Sequence, residues 1–135
     1  MERRQIYLTN AVKHFKWEPR GKRRIHKTPA QREVDACNPW LKQELAVVAP
    51  KVVVALGSTA LRALTGRRDL SLSAVQGQVL AIDGRMIVPT WHPSYVLRLP
   101  GREEQDAAFQ AMLAALLVAK GLLAKESLGE DLAQL

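Results

Sequence analysis

His26 stands in the stretch Arg-Gly-Lys-Arg-Arg-Ile-His-Lys-Thr-Pro at positions 20–29, where five of ten residues are Arg or Lys. Like charges disfavour protonation of an imidazole. A neutral His26 is then either a bystander on a solvated loop or a base or nucleophile held beside something anionic. Asn10, Ser58 and His92 each follow an apolar, strand-like run. In open α/β sheets ligands bind beyond the carboxyl ends of strands. Singly, each has an ordinary reading. An Asn that ends a strand is most often a turn former, and a His before Pro93-Ser94 is more often a satisfied loop residue. Together with the basic stretch they converge on one edge of a sheet. Cys37 is the single cysteine, so no internal disulfide forms. It reads as a buried small hydrophobe or as a ligand that needs other partners.

The elements that must position these residues can be read in order. Residues 4–12 open with alternating and β-branched side chains, a strand signal ending near Asn10. Residues 13–28 hold seven Lys/Arg and one acid, Glu18, and are punctuated by Pro19 and Gly21, which predicts a loop. Thr28, Pro29 and Gln31 form an N-cap, first-turn proline and capping-box glutamine, so a helix starts here. Its apolar face is Val34, Cys37, Leu41, Leu45 and Val48. Pro39 is expected to kink or restart it after Asn38, and Pro50 to end it.

The run Val-Val-Val-Ala-Leu at 52–56 reads as a strand buried on both faces, as in parallel sheets covered by helices. Ser58 is then expected to cap a short helix that Gly66 stops. Residues 77–93 read as two strands around an Asp83-Gly84 hairpin turn. Residues 102–124 read as a helix with Ala107, Met112, Leu113, Leu116, Leu117 and Ala124 as apolar positions. A polar, frayed tail over 126–135 is expected after a domain at 1–125. The element order implies a three-layer α/β/α sandwich with a largely parallel central sheet, whose parallel strands include 4–9 and 52–56.

Composition bounds the function. The chain has 135 residues, 47% of them hydrophobic, enough for one globular domain with a core. A net charge of +7 points to an anionic partner, most often nucleic acid. A basic ribosomal, chromatin or RNA-binding protein fits the charge equally well. The longest uninterrupted apolar runs are too short to span a bilayer, and the start has no apolar signal region, so the cytoplasm is the expected compartment.

Three segments carry a resemblance: Tyr-Leu-Thr-Asn-Ala-Val-Lys-His-Phe at 7–15, residues 50–66 around Leu56-Gly57-Ser58, and Trp-His-Pro-Ser-Tyr-Val-Leu-Arg at 91–98. They resemble the uracil-DNA glycosylase superfamily, in its iron–sulfur branch. The His92-Pro93-Ser94 segment resembles its second active-site motif. The stretch Gly-Lys-Arg-Arg-Ile-His-Lys-Thr-Pro at 21–29 resembles the basic loop inserted in UdgX-type members, which bind uracil-containing DNA and become covalently attached to it. The resemblance runs from about Ile6 to near Lys120. The family's N-terminal Cys pair and Gly-Pro-rich first active-site motif have no counterpart in this sequence. The sheet is therefore expected to be incomplete at its N-terminus, and the isolated chain to have low or no activity.

The resemblance implies roles. Asn10 would pair with the uracil edge, His92 would hydrogen-bond uracil O2, and Ser58, Ser94 and Arg98 would contact DNA. His26 would be the covalent nucleophile, with Lys22, Arg23, Arg24 and Lys27 holding phosphates around it. His14 and Cys37 occupy positions of two cluster ligands, implying a [4Fe-4S] cluster in the complete protein, with only two candidate ligands here. The implied partner is uracil-containing DNA, single-stranded, met by a monomer away from membranes. The alternative is a non-catalytic basic module for single-stranded DNA.

Overall fold

The computed structural model describes residues 5–11, 17–20, 23–26 and 31–133. Ten elements follow one another: β1 Trp17–Arg20, β2 Arg23–His26, α1 Gln31–Val48, β3 Val52–Leu56, α2 Ser58–Thr65, α3 Leu72–Val75, β4 Leu80–Ile82, β5 Arg85–Thr90, α4 Pro93–Arg98 and α5 Arg102–Ala133. The architecture is mixed α/β. The main sheet has the order β3-β5-β4. β3 and β5 are parallel, in a register from Val52↔Met86 to Leu56↔Thr90. β4 and β5 are antiparallel. The hairpin between them turns on Asp83 and Gly84, at φ 51° and 75°. Two successive left-handed residues make the turn whose twist matches paired strands, which Asp-Gly adopts readily.

Alternation along the strands sends side chains to two faces. On one, Val88 with Val52 and Val54 packs against Ala115, Ala119 and Leu122 of α5. On the other, Leu61, Leu72 and Val75 gather Leu80 and Trp91, while Leu41 and Ala63 join α1 to α2 with Ala11, Leu45 and Leu64 around them. Helices thus cover both faces of the sheet. Pro89 lies in the central strand but beyond the last β4 pair, Leu80↔Ile87. The ladder on that side has ended there, and the Gly77 N–H donates to the Pro89 carbonyl at 2.8 Å.

Several expectations are corrected. The first strand does not form: residues 6–10 lie outside any strand, with Tyr7 and Leu8 exposed. A strand needs a ladder beside it, and β3 pairs only with β5 among the described residues. The segment is held instead by its side chains. The Tyr7 hydroxyl donates to Glu44 Oε2 at 2.8 Å, a bond that holds the phenol above its ordinary pKa, and Ala11 packs beside Leu41 and Ala63. The parallel pair is β3 with β5. Within the expected loop at 13–28, β1 and β2 form an antiparallel ribbon, Trp17↔His26 to Arg20↔Arg23. Pro19 and the charged residues concealed it, because they break the apolar alternation by which a strand is read.

α1 runs unbroken through Pro39. One missing N–H bond is outweighed by the bonds around it and by the packing of Leu41 and Leu45. Gly57, not Ser58, holds the N-cap of α2, and no side chain caps that helix. β3 is buried less than expected, with Ala55 alone fully covered. α5 continues past Lys125 to Ala133. Within its residues 102–125, an 18-residue window has a mean hydropathy of 1.8, so this part of the helix is long and apolar enough by length and composition to cross a membrane. A count of uninterrupted apolar runs missed this, because Gln110 and the alanines dilute the leucines without adding charge.

The inward face of α5 is lined by alanines, so its distance from the sheet is set by small side chains. Ala115→Leu is expected to overpack against Val88 and lower unfolding free energy by about 1–3 kcal/mol. Val88→Ala should cost about 2–3 kcal/mol through lost burial and a residual void. Urea titration followed by far-ultraviolet circular dichroism measures both.

Candidate functional site

The pairing Leu56↔Thr90 sets the carboxyl ends of β3 and β5 side by side. Each strand then releases its chain over the same edge, as Gly57-Ser58 and as Trp91-His92. The Gly57 N–H donates to the Thr90 carbonyl at 2.9 Å. Gly57 has φ 92°, and a Cβ built on it would stand 3.3 Å from His92 Cβ. Both the left-handed backbone and the close approach require glycine. Ser58 follows as the first residue of α2, exposed.

His92 is the N-cap of α4. Its Nδ1 accepts from the Ser94 backbone N–H at 3.1 Å and lies 2.8 Å from Ser94 Oγ. A backbone N–H can only donate, so Nδ1 is the acceptor nitrogen. The neutral ring must then carry its proton on Nε2, as a donor available to a ligand. His92 is exposed, so that donor is accessible. Beneath it Thr90 is fully buried. The Gln76 amide donates to Thr90 Oγ1 at 3.0 Å and to the Ala111 carbonyl at 3.1 Å. One side chain therefore ties the end of β5 to α5. Trp91 anchors the other side, packing on the Leu61 cluster and stacking on Tyr95 with ring centroids 5.0 Å apart.

The structure brings Ser58, His92, Ser94 and Arg98 to this edge. Arg98 is exposed in the last turn of α4, beside Leu97, which is 77% exposed. Asn10 stands exposed on the separate segment leading to Ala11. Arg23, Arg24 and His26 fall on β2, with His26 opposite Trp17; their side chains, with Lys22, Lys27 and His14, lie outside the described residues. Cys37 falls within α1. No group of three His, Cys, Asp or Glu among the described residues could hold a metal. A [4Fe-4S] cluster takes four ligands, mostly thiolates, and His14 with the single Cys37 do not make that set. The donors this sequence offers do not fit the cluster.

Charge is distributed unevenly. Residues 1–30 hold nine Lys/Arg against two acids, whereas residues 31–135 hold eleven of each. All of the excess positive charge therefore belongs to the segments carrying Asn10 and the β1–β2 ribbon, and the helical body is neutral.

A sequence profile of the Uracil DNA glycosylase superfamily matches residues 1–117. The chain belongs to this superfamily. It is 34% identical to a type-4 uracil-DNA glycosylase of Thermotoga maritima, over 73% of this chain and 48% of that protein. It is 33% identical to a type-4 uracil-DNA glycosylase of Pyrobaculum aerophilum, over 80% of this chain and 57% of that protein. A type-5 uracil-DNA glycosylase of Pyrobaculum aerophilum is 36% identical over 70% of this chain and 38% of its own length. The chain spans about half the length of the type-4 relatives it matches.

Within this superfamily domain, two supports escaped sequence reading. Gln76 reaches residues 14 and 35 positions away, for which no local pattern exists. Gly57 was legible as a turn, but its contact with His92 was not. Gly57→Ala is expected to destabilise the fold by about 1–3 kcal/mol and to displace His92. The His92 ring resonances in a proton–nitrogen correlation spectrum should shift, whereas Gly66→Ala, with open space around it, should leave them in place.

Proposed function

We propose that the chain acts in DNA repair as part of a uracil-DNA glycosylase that releases uracil from DNA and captures the sugar through His26. The observation that carries this reading is the fixed tautomer of His92: an exposed Nε2–H donor at the junction of two parallel strand ends, locked from behind by Ser94. As the C1′–N1 bond breaks, its electron pair leaves with uracil and negative charge gathers on the base oxygens. A preorganised donor aimed at that charge is worth about 3–4 kcal/mol. A target base must leave the stack to be reached. Asn10 suits the reading of the extruded base, since its amide offers one donor and one acceptor to the uracil imide. Ser58, Ser94 and Arg98 contact the strand near the base.

The nine cations of residues 1–30 supply the phosphate contacts. Among them, Lys22, Arg23, Arg24 and Lys27 flank His26, so the loop that holds the backbone also disfavours protonation of its imidazole. The lone pair of that neutral ring forms a bond to C1′ as N1 departs, and the uracil anion takes a proton from solvent. Single-stranded DNA is the proposed substrate, since an unpaired base is the least costly to extrude. The compartment is the cytoplasm.

The test uses a protein carrying these segments together with a complete glycosylase domain, and a uracil-containing oligonucleotide on a denaturing gel. His92→Ala should slow uracil release about 10²- to 10³-fold. Asn10→Asp should abolish discrimination for uracil, because the carboxylate leaves a partner unpaired and repels the uracil oxygen. His26→Ser should eliminate the DNA adduct that withstands denaturation while leaving uracil release intact or improved. A persistent adduct in that variant removes His26 from the chemistry. Salt-sensitive binding without release in the unaltered protein would leave a basic module for single-stranded DNA, a reading that the charge of residues 1–30 favours.

A further inference from the structure

The outward face of α5 exposes large apolar side chains in helical register. Its inward residues are Ala108, Ala115 and Ala119, all buried. Phe109, Leu113 and Leu117, spaced four apart, point the other way and are 47%, 40% and 59% exposed, with half-buried Leu116 at their edge. At 100° per residue these side chains make one stripe, centred on Leu113. Asp106 and Lys120 continue it at either end, each seven residues from Leu113 and both exposed. Seven residues along a helix is about 10.5 Å. The stripe thus reads acid, apolar, base, with its apolar part symmetric about one leucine.

We propose that this stripe is a self-association surface, on which α5 of a second copy of the chain lies antiparallel about a two-fold axis through Leu113. The axis sets Phe109 of each copy against Leu117 of its partner and Leu113 against Leu113. It also sets Asp106 against Lys120 at both ends. A parallel arrangement would oppose Asp106 to Asp106 and Lys120 to Lys120, so the charges select the antiparallel one. The part of the chain that carries the stripe is itself neutral, since residues 31–135 hold eleven basic and eleven acidic groups. A two-fold interface is isologous, and a patch symmetric about its own centre meets that requirement. One helix pair is a small interface, so association at about micromolar concentration is expected. The inference goes beyond the glycosylase reading and does not depend on it.

Sedimentation velocity on the full chain, from about 1 to about 100 µM, tests this. A monomer–dimer equilibrium is expected, and Leu113→Glu should give a monomer throughout with unchanged circular dichroism. Asp106→Lys and Lys120→Asp should each weaken association about three- to tenfold, since each turns two attractions into repulsions. The double variant should restore it. A chain that stays monomeric at the highest concentration overturns the proposal, as does a dimer indifferent to Leu113→Glu or a double variant no better than the singles. A chain that is monomeric in solution, but floats with phosphatidylcholine vesicles until Leu113 is replaced by Glu, would assign the stripe to lipid and likewise overturn the proposal.

Discussion

The parallel pairing of β3 with β5 is the constraint on which the site depends. Parallel strands release their chains at the same edge, so whatever follows Leu56 and whatever follows Thr90 must meet. Antiparallel pairing would have carried Ser58 and His92 to opposite ends of the sheet. The meeting is close enough that only glycine fits at position 57. His92 then has the Gly57 backbone beside it and Ser94 on its Nδ1, while Gln76 holds Thr90 at the strand end that leads to it. A donor held this way needs no reorganisation when charge develops near it, and this is the condition under which a hydrogen bond contributes to a rate and not only to binding.

The same pairing explains the two-sided use of α5. Covering β3 and β5 takes mainly its alanines, with Leu122 beside them, and these let the helix lie close to Val88. The bulky residues are left for the outside. Size segregation of this kind, small inward and large outward, cannot arise from a core that needs filling with leucine. It gives the helix a second apolar face with no contact duty in the sheet.

Much of this was legible in the sequence, for identifiable reasons. The β-branched run at 52–56, the Asp83-Gly84 turn and the Gly66 stop are local signals, and each element lies where its signal put it. The family, too, was legible, because short motifs at strand ends survive in recognisable order. What failed was non-local. The segment at 6–10 has the composition of a strand, but composition supplies no partner ladder. The β1–β2 ribbon is charged and holds Pro19, so its sequence shows no apolar alternation. The Gln76 bridge joins three elements through one side chain, and hydrophobic periodicity carries no information about such a group.

The division of charge bears on how such a site can work. The donors at the strand ends belong to a neutral body, and the excess of cations over acids belongs to the first thirty residues. Phosphates are strong, non-directional attractors, and cations crowded around the base pocket would hold the backbone wherever it landed. On the proposed reading, setting the excess charge on a separate segment would let affinity come from the ribbon and geometry from the sheet. On the proposed reading it also sets His26 among cations, which disfavour protonation of its ring. In His92, by contrast, the proton of the neutral ring is set on Nε2 by the hydrogen bond that Nδ1 accepts from Ser94, and not by charge. On the proposed reading, two histidines in one protein would thus serve opposite tasks, giving a lone pair and donating a hydrogen bond, by two different physical means.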